Sequence, residues 1–297
     1  MDNCHTPNSS NFLALSSTES SLKSASVVLI PIPYDSTTSH IAGTREGPAS
    51  IIKSSTSLED YDHELGIDLS LVGIHTAPFV EPHMDGPSQM IARIKDIVAA
   101  YQAHGQLIGL LGGEHTVTIG GVMAMRERFP DISVLYLDAH GDLRNEYMGT
   151  YWGHASVARR VSEVASLVQI GVRSVSKEEA LFINNGNINT FFFNPNFTLR
   201  EFSNQVLPLL NEHVYLSIDL DVLDPSIMAA VGTPEPGGMI WSEVCSIIET
   251  LSKARKIVAF DLTELSPRLG DEACAVTAAK LVHKIIASVA YRNSTGG

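Results

Sequence analysis

A single doubly wound α/β domain is predicted by three features of this sequence. From Ser26 onward, short apolar runs alternate with segments of helical periodicity. Two of the runs, Val134-Leu135-Tyr136-Leu137 and Ile257-Val258-Ala259-Phe260, are apolar without interruption, the pattern of parallel strands buried on both faces. Several runs end in Gly or Asp, at the strand ends where open α/β sheets bind their ligands.

The elements follow in order. Residues 1–25 are rich in Ser and Asn and are expected to form a mobile arm or one laid against a neighbouring subunit. Residues 26–297 make one domain, with no internal repeat and no linker. Strands are predicted at Val27–Ile32, Leu71–His75, Leu107–Leu111, Ser133–Asp138, Leu167–Val172, Val214–Asp219 and Ile257–Leu262, with an eighth near Asn189–Phe193. From Pro87 to His104, Met90, Ile91, Ile94, Ile97, Val98 and Tyr101 fall at helical spacing, and Gly105 follows as a stop. Ser242 is placed to cap a helix with Val244, Ile247, Ile248 and Leu251 on one face. Ala273 to Tyr291 reads as a long apolar helix that closes the fold.

Composition narrows the classes. A chain of 297 residues buries roughly 75% of its unfolded surface, so it needs no disulfide staples. Its cysteines (Cys4, Cys245 and Cys274) are odd in number and widely spaced, which suggests neither a disulfide framework nor a CxxC zinc site and fits a reducing compartment. The start, Met1-Asp2-Asn3, has no basic region before an apolar one, so no signal peptide is expected. No uninterrupted apolar run reaches the ~18 residues of a membrane span. A cytoplasmic protein is expected. Lys plus Arg is 20 and Asp plus Glu 33, a net charge of −13, which disfavours nucleic acid and anionic lipid and mildly favours small cations.

Five polar clusters sit at strand ends. Gly112-Gly113-Glu114-His115-Thr116 makes a tight turn that exposes His115; alone, such a His is more often a structural or surface residue than a ligand. Asp138-Ala139-His140-Gly141-Asp142 ends an apolar strand, and extended geometry would project Asp138, His140 and Asp142 to one side. Such a convergence is costly without a compensating cation. Ser217-Ile218-Asp219-Leu220-Asp221 repeats the pattern, and Asp224-Pro225 beyond it reads as an ordinary turn. Together His115, Asp138, His140, Asp142, Asp219 and Asp221 exceed what one catalytic zinc needs. They suit two divalent ions about 3.5–4 Å apart, and the carboxylate-rich, thiolate-free set favours Mn²⁺ over Zn²⁺. The fourth cluster, Tyr151-Trp152-Gly153-His154-Ala155-Ser156, offers His154 as a proton shuttle or as an exposed loop His. In the fifth, Asp261-Leu262-Thr263-Glu264-Leu265-Ser266-Pro267, Glu264 can pair with a planar guanidinium or be a helix-start acid.

These motifs, in this order, closely resemble the ureohydrolase family of arginase, agmatinase and formimidoylglutamase, over Pro31 to Ala287. Pro33-Tyr34-Asp35 with Gly43-Thr44-Arg45-Glu46-Gly47-Pro48 resembles the family's N-terminal segment, and Gly232-Thr233-Pro234-Glu235-Pro236-Gly237-Gly238 its active-site loop. The resemblance implies a three-layer α/β/α sandwich with an eight-stranded, mainly parallel sheet. It implies two Mn²⁺ ions: one on His115, Asp138, Asp142 and Asp219, the other on His140, Asp138, Asp219 and Asp221. It also implies a homotrimer or hexamer. The segment Leu143 to Trp152 lacks the arginase-like stretch that holds α-groups, and His154-Ala155-Ser156-Val157 resembles short prokaryotic agmatinases.

The expected reaction is hydrolysis of agmatine to urea and putrescine by a hydroxide shared between the metals. Glu264 anchors the guanidinium, Asp142 passes a proton to the departing amine, His154 relays protons, and Thr233 lines the pocket. Tyr151 and Trp152 are placed to pack on an aliphatic chain or to serve the core. Guanidinobutyrate, guanidinopropionate and arginine are alternative substrates. A catalytically silent homologue would be expected to lose ligands, and a zinc deacylase on a related fold would need fewer of them.

Overall fold

The computed structural model describes residues 10–102, 105–186 and 188–296. Eight strands form one sheet: β1 Val27–Ile32, β2 Ile74–Thr76, β3 Leu107–Gly112, β4 Ser133–Leu137, β5 Ser166–Val172, β6 Asn189–Phe192, β7 His213–Asp219 and β8 Lys256–Thr263. Their order is β2-β1-β3-β8-β7-β4-β5-β6, and every neighbouring pair is parallel. The expected eight strands are present, and the sheet is wholly parallel.

Strand alternation divides the core in two. Val27 and Leu29 of β1 point to one face; Val28, Ile30 and Ile32 point to the other. The first face packs against α1 (Gly47–Ser55), α6 (Trp241–Ala254) and α7 (Glu272–Thr295), through Ile51, Val244 and Leu281 among others. The second packs against α2 (Pro87–Gln102), α3 (Val117–Arg128) and α4 (Val157–Ser162), through Met90, Ile94, Val122 and Val157. A further helix, α5 (Lys177–Asn184), precedes β6. The result is a three-layer α/β/α sandwich.

Several local expectations are corrected. Leu71 is not in a strand: Leu69–Val72 is a helical turn, started by Asp68, whose carboxylate accepts the Ser70 N–H at 3.0 Å, and ended by Gly73 at φ 71°. Leu71 is therefore 84% exposed, and β2 begins only at Ile74. Ser242 does not cap α6. That helix begins at Trp241, and Glu243 reaches back to accept the Ile240 N–H at 2.8 Å. Its apolar face (Val244, Ile247, Ile248 and Leu251) is buried as expected. Within the 1–25 segment, residues 1–9 and Cys4 lie outside the described residues. From Ser10 the chain lies on the domain: Phe12 and Leu15 are buried, and the Phe12 and Leu13 N–H groups donate to Thr76 and Ser55. Helix α7 is long and apolar enough to cross a membrane by composition, but 67% of its most apolar window is buried within the domain, as befits a core helix.

Beneath α7 lies a charged cluster. Lys284, 3% exposed, stands 2.5 Å from Glu64, 2.9 Å from Glu249 and 3.6 Å from Asp62. His283 beside it is fully buried, and burial, then the Lys280 ammonium, pushes its imidazole down to about 4. Between pH 6.5 and 4 the unfolded chain protonates this residue while the folded chain does not, so stability falls as pH falls. The loss is expected to reach roughly 2–3 kcal/mol at the acid end. Urea unfolding at pH 7 and pH 4.5 should show a smaller drop for His283→Gln than for wild type; equal drops would show that His283 carries none of the acid sensitivity.

Candidate metal centre and cleft

The site lies beyond the carboxyl ends of β3, β8, β7 and β4, adjacent strands in the sheet. The turn after β3 is forced close to the segment after β1. Gly113 N–H donates to Ile32 O and Glu114 N–H to Tyr34 O, and a Cβ on Gly113 would lie 2.1 Å from the Tyr34 carbonyl oxygen. This turn drops His115 into the interior, where it is 1% exposed.

The six expected ligands meet there. His115 Nδ1 lies 3.1 Å from Asp138 Oδ2, 3.1 Å from Asp219 Oδ2 and 3.7 Å from Asp142 Oδ2. His140 Nδ1 lies 2.8 Å from Asp221 Oδ2 and 3.6 Å from Asp138 Oδ1. Asp138 thus stands between the two imidazoles with one oxygen toward each. Two groups, His115–Asp138–Asp219 and Asp138–His140–Asp221, each bring their donor atoms within 4.8 Å of one another and share Asp138. The convergence does not come from continued strand alternation. Asp142 turns back through the left-handed region at φ 50°, and Asp219 caps a short turn by accepting the Asp221 N–H at 2.9 Å.

Two observations test whether cations fit. Asp138 Oδ2 is buried and makes no hydrogen bond, although His115 Nδ1 stands 3.1 Å away. The other ring nitrogen explains this. His115 Nε2 lies 2.9 Å from Ser217 Oγ, and Ser217 donates its single proton to Asp261 Oδ1 at 2.8 Å. Ser217 therefore accepts from Nε2–H, so a neutral His115 turns a bare Nδ1 lone pair toward three carboxylates. Acceptors facing one another across about 3 Å call for a shared positive charge, a proton on Nδ1 in the metal-free protein or a metal ion in its place. The charges agree: burial first, then neighbouring carboxylates, raise Asp142, Asp219 and Asp221 above the usual carboxylate range. Burial alone would lower His115, but Asp138 and Asp219 outweigh it and raise the imidazole, the response of a site short of positive charge. Four carboxylates match the charge of two divalent ions.

Sequence reasoning missed the residues behind this set. Ser217 and Asp261 are polar positions in otherwise apolar strands, which was the available signal. Tyr136 donates to Asp142 Oδ2 at 2.8 Å and stacks on His115 with ring centroids 4.5 Å apart. Arg173 fastens the turn that carries Asp221 to the 232–238 loop, donating to the carbonyls of Asp221 at 2.7 Å and Glu235 at 3.0 Å. Ser217→Ala is expected to weaken metal affinity by roughly 10- to 100-fold, because His115 loses the acceptor that fixes its tautomer. Metal titration followed by calorimetry checks this; wild-type affinity would mean that Ser217 only fills space.

An open cleft of about 290 Å³ lies over the centre, lined by His140, Asp142, Asp219 and Asp221 and also by Glu264, His154 and Thr233. Glu264 follows β8 at φ 67°. Its Oε1 accepts the His115 N–H at 2.7 Å, and burial, then Glu114, pushes its carboxyl up to about 8. His154 is pushed down to about 4 by burial, so it is neutral at pH 7 rather than half-titrated. The cleft aromatic is Tyr147, edge-on to His154 at 6.0 Å. Tyr151 and Trp152 do not line the cleft: Tyr151 is 48% exposed and Trp152 packs on the core.

The geometry agrees with what comparison finds. The model of the arginase family matches residues 25–288. The N(1)-aminopropylagmatine ureohydrolase of Synechocystis is 35% identical over 275 residues, 88% of each chain. The agmatinase of Pyrococcus horikoshii is 34% identical over 268 residues, 89% of this chain and 92% of its own. The crystal structure of agmatine ureohydrolase of Thermoplasma volcanium superposes with a TM-score of 0.83 at 30% identity, covering 93% of this chain and 94% of that one. Enzymes of the arginase family use a binuclear centre of divalent metal, and the two ligand groups around Asp138 are this chain's candidates for it. Matched by that family over nearly its whole length, and by relatives of 34% and 35% identity across most of it, the chain belongs to the arginase family of ureohydrolase enzymes.

Proposed function

We propose that this enzyme hydrolyses the guanidino C–N bond of agmatine, giving urea and putrescine. The observation that carries the proposal is the juxtaposition of Glu264 with the buried carboxylate–imidazole set at one cleft. His115, Asp138, Asp142 and Asp219 would hold one divalent ion, and His140, Asp138, Asp219 and Asp221 the other, with Mn²⁺ favoured by the carboxylate-rich donors. Bound there, the ions supply Lewis acidity and a water of lowered pKa as nucleophile.

The protein's own groups do the rest. Glu264, its Oε1 held by the His115 N–H, is aimed at the cleft; a planar guanidinium docked beside it would lower its raised carboxyl and hold it ionised as a charge-assisted partner. That fixes the guanidino carbon over the centre. Asp142, oriented by the Tyr136 hydroxyl, passes a proton to the leaving amine. Neutral His154 accepts and returns protons at the cleft mouth, and Thr233 bounds the substrate. Agmatine, arginine without its carboxylate, needs no clamp for α-groups. The assembly proposed is a homotrimer or hexamer, which light scattering after gel filtration measures.

A second substrate is favoured by one observation. Relatives of 35% and 36% identity, from Synechocystis and Thermus thermophilus, are N(1)-aminopropylagmatine ureohydrolases. That compound shares the alkylguanidine head and carries a longer cationic tail. The test is urea release by Mn²⁺-loaded protein from agmatine, N(1)-aminopropylagmatine, arginine, guanidinobutyrate and guanidinopropionate in parallel. Agmatine is expected to give the highest kcat/KM. A preference for N(1)-aminopropylagmatine replaces the tail assignment and keeps the chemistry; no urea from any of them overturns the proposal.

A further inference from the structure

The segment after β1 carries a hydroxyl that none of the roles above uses. Thr37 Oγ1 lies 2.8 Å from Glu114 Oε1, 3.3 Å from His154 Nδ1 and 3.4 Å from Thr116 Oγ1. It has one proton to give. The shortest contact is to Glu114 Oε1, and the other oxygen of the same carboxyl group accepts the Thr37 backbone N–H, so the hydroxyl proton goes to Glu114. Glu114 is fully buried, and its other oxygen accepts the Thr37 backbone N–H at 2.7 Å. One carboxylate therefore grips both donors of Thr37.

Having donated, Thr37 Oγ1 can only accept. The His154 backbone N–H donates to it at 3.0 Å. The His154 Nδ1 faces the same oxygen, so a ring lone pair there would meet an oxygen lone pair, whereas an Nδ1–H would donate. A neutral imidazole protonated at Nδ1 leaves its lone pair on Nε2. That atom lies 3.1 Å from Ser39 Oγ, an exposed hydroxyl that lines the cleft with His154. The approach is close by construction: a Cβ on Gly153 would lie 3.3 Å from both Cβ and Oγ1 of Thr37.

We infer that Thr37, gripped by Glu114, is a positioning residue that holds His154 as the Nδ1–H tautomer and turns its basic Nε2 toward the cleft and Ser39. The inference deepens the proposed role of His154 as proton acceptor and rests on that reading for its kinetic consequence. Ser39 then stands between Nε2 and solvent as the next member of a proton path.

Two variants and one spectrum test it. Thr37→Val keeps the shape and removes the hydroxyl; Thr37→Ser keeps the hydroxyl. In the Mn²⁺-loaded enzyme, Thr37→Val is expected to lower kcat roughly 10- to 100-fold while KM and metal content stay within about twofold, and Thr37→Ser to stay within about threefold of wild type. In ¹⁵N-histidine spectra of Zn²⁺-loaded protein, assigned with His154→Gln, wild-type His154 should be protonated at Nδ1 and Thr37→Val should shift toward the Nε2–H form. A wild-type His154 protonated at Nε2, or a Thr37→Val enzyme with unchanged kcat, overturns the inference. If Thr37→Val does not fold, the wild-type spectrum decides. If His154→Gln turns over like wild type, the proposed role of His154 falls, and the spectrum alone judges Thr37.

Discussion

Asp138→Asn is expected to strip the protein of bound divalent metal and of nearly all turnover. Asp138 is fully buried between the two imidazoles. Its Oδ1 accepts the His140 N–H at 2.6 Å and faces His140 Nδ1 at 3.6 Å, while Oδ2 faces His115 Nδ1 at 3.1 Å without a hydrogen bond. Among the described residues it is the common member of the groups His115–Asp138–Asp219 and Asp138–His140–Asp221. An amide in this place removes one negative charge and puts an NH₂ where one cation would have to bind. The ions are expected to contribute several kcal/mol to lowering the barrier; a loss of ~4 kcal/mol is roughly 10³-fold in rate. Elemental analysis of the purified variant and a urea assay measure both effects. A variant with full metal content and full activity would sink the assignment of Asp138 as a shared ligand.

The second large effect is expected from Glu264→Gln. The substitution keeps the side chain's shape and an oxygen to accept the His115 N–H, so metal content should be unchanged. It replaces a charged acceptor by an amide whose NH₂ opposes the guanidinium N–H groups. Losing a bidentate charge-assisted contact is expected to lower kcat/KM roughly 100- to 1000-fold. The signature is the combination: intact metal and poor turnover. Steady-state kinetics with agmatine on the metal-loaded variant provide the check, and unchanged KM and kcat would remove Glu264 as the anchor.

The cleft was largely legible because its residues sit where strands stop. Asp138, Asp219 and Glu264 follow apolar runs that could only be buried strands, and a carboxylate at such a place needs a partner. The errors fell where a local signal competed with the pattern. Asp68 and Gly73 make a turn of what reads as strand at Leu71, and Glu243 does the capping expected of Ser242. Asp142 reaches the cluster through a left-handed turn at φ 50°, not by strand alternation. The neutral state of His154 was not legible at all, because it comes from burial against segments far away in sequence.

The sequence by itself determined the alternation of buried strands with helices and the polar residues that end those strands, because hydrophobic period and the cost of burying charge are written locally. Only the tertiary structure decided how those donors face one another. Strand order β3-β8-β7-β4 is not encoded in any single strand, yet it is what brings positions 115, 138, 219 and 264 to one point. The same holds for the supporting contacts. Thr37 meets Glu114 and His154, and Ser217 meets His115 and Asp261, across separations of 44 to 117 residues. Hydrogen bonds of that span exist only after two packed helical layers have fixed the sheet, and they set the tautomers and orientations of the residues at the cleft.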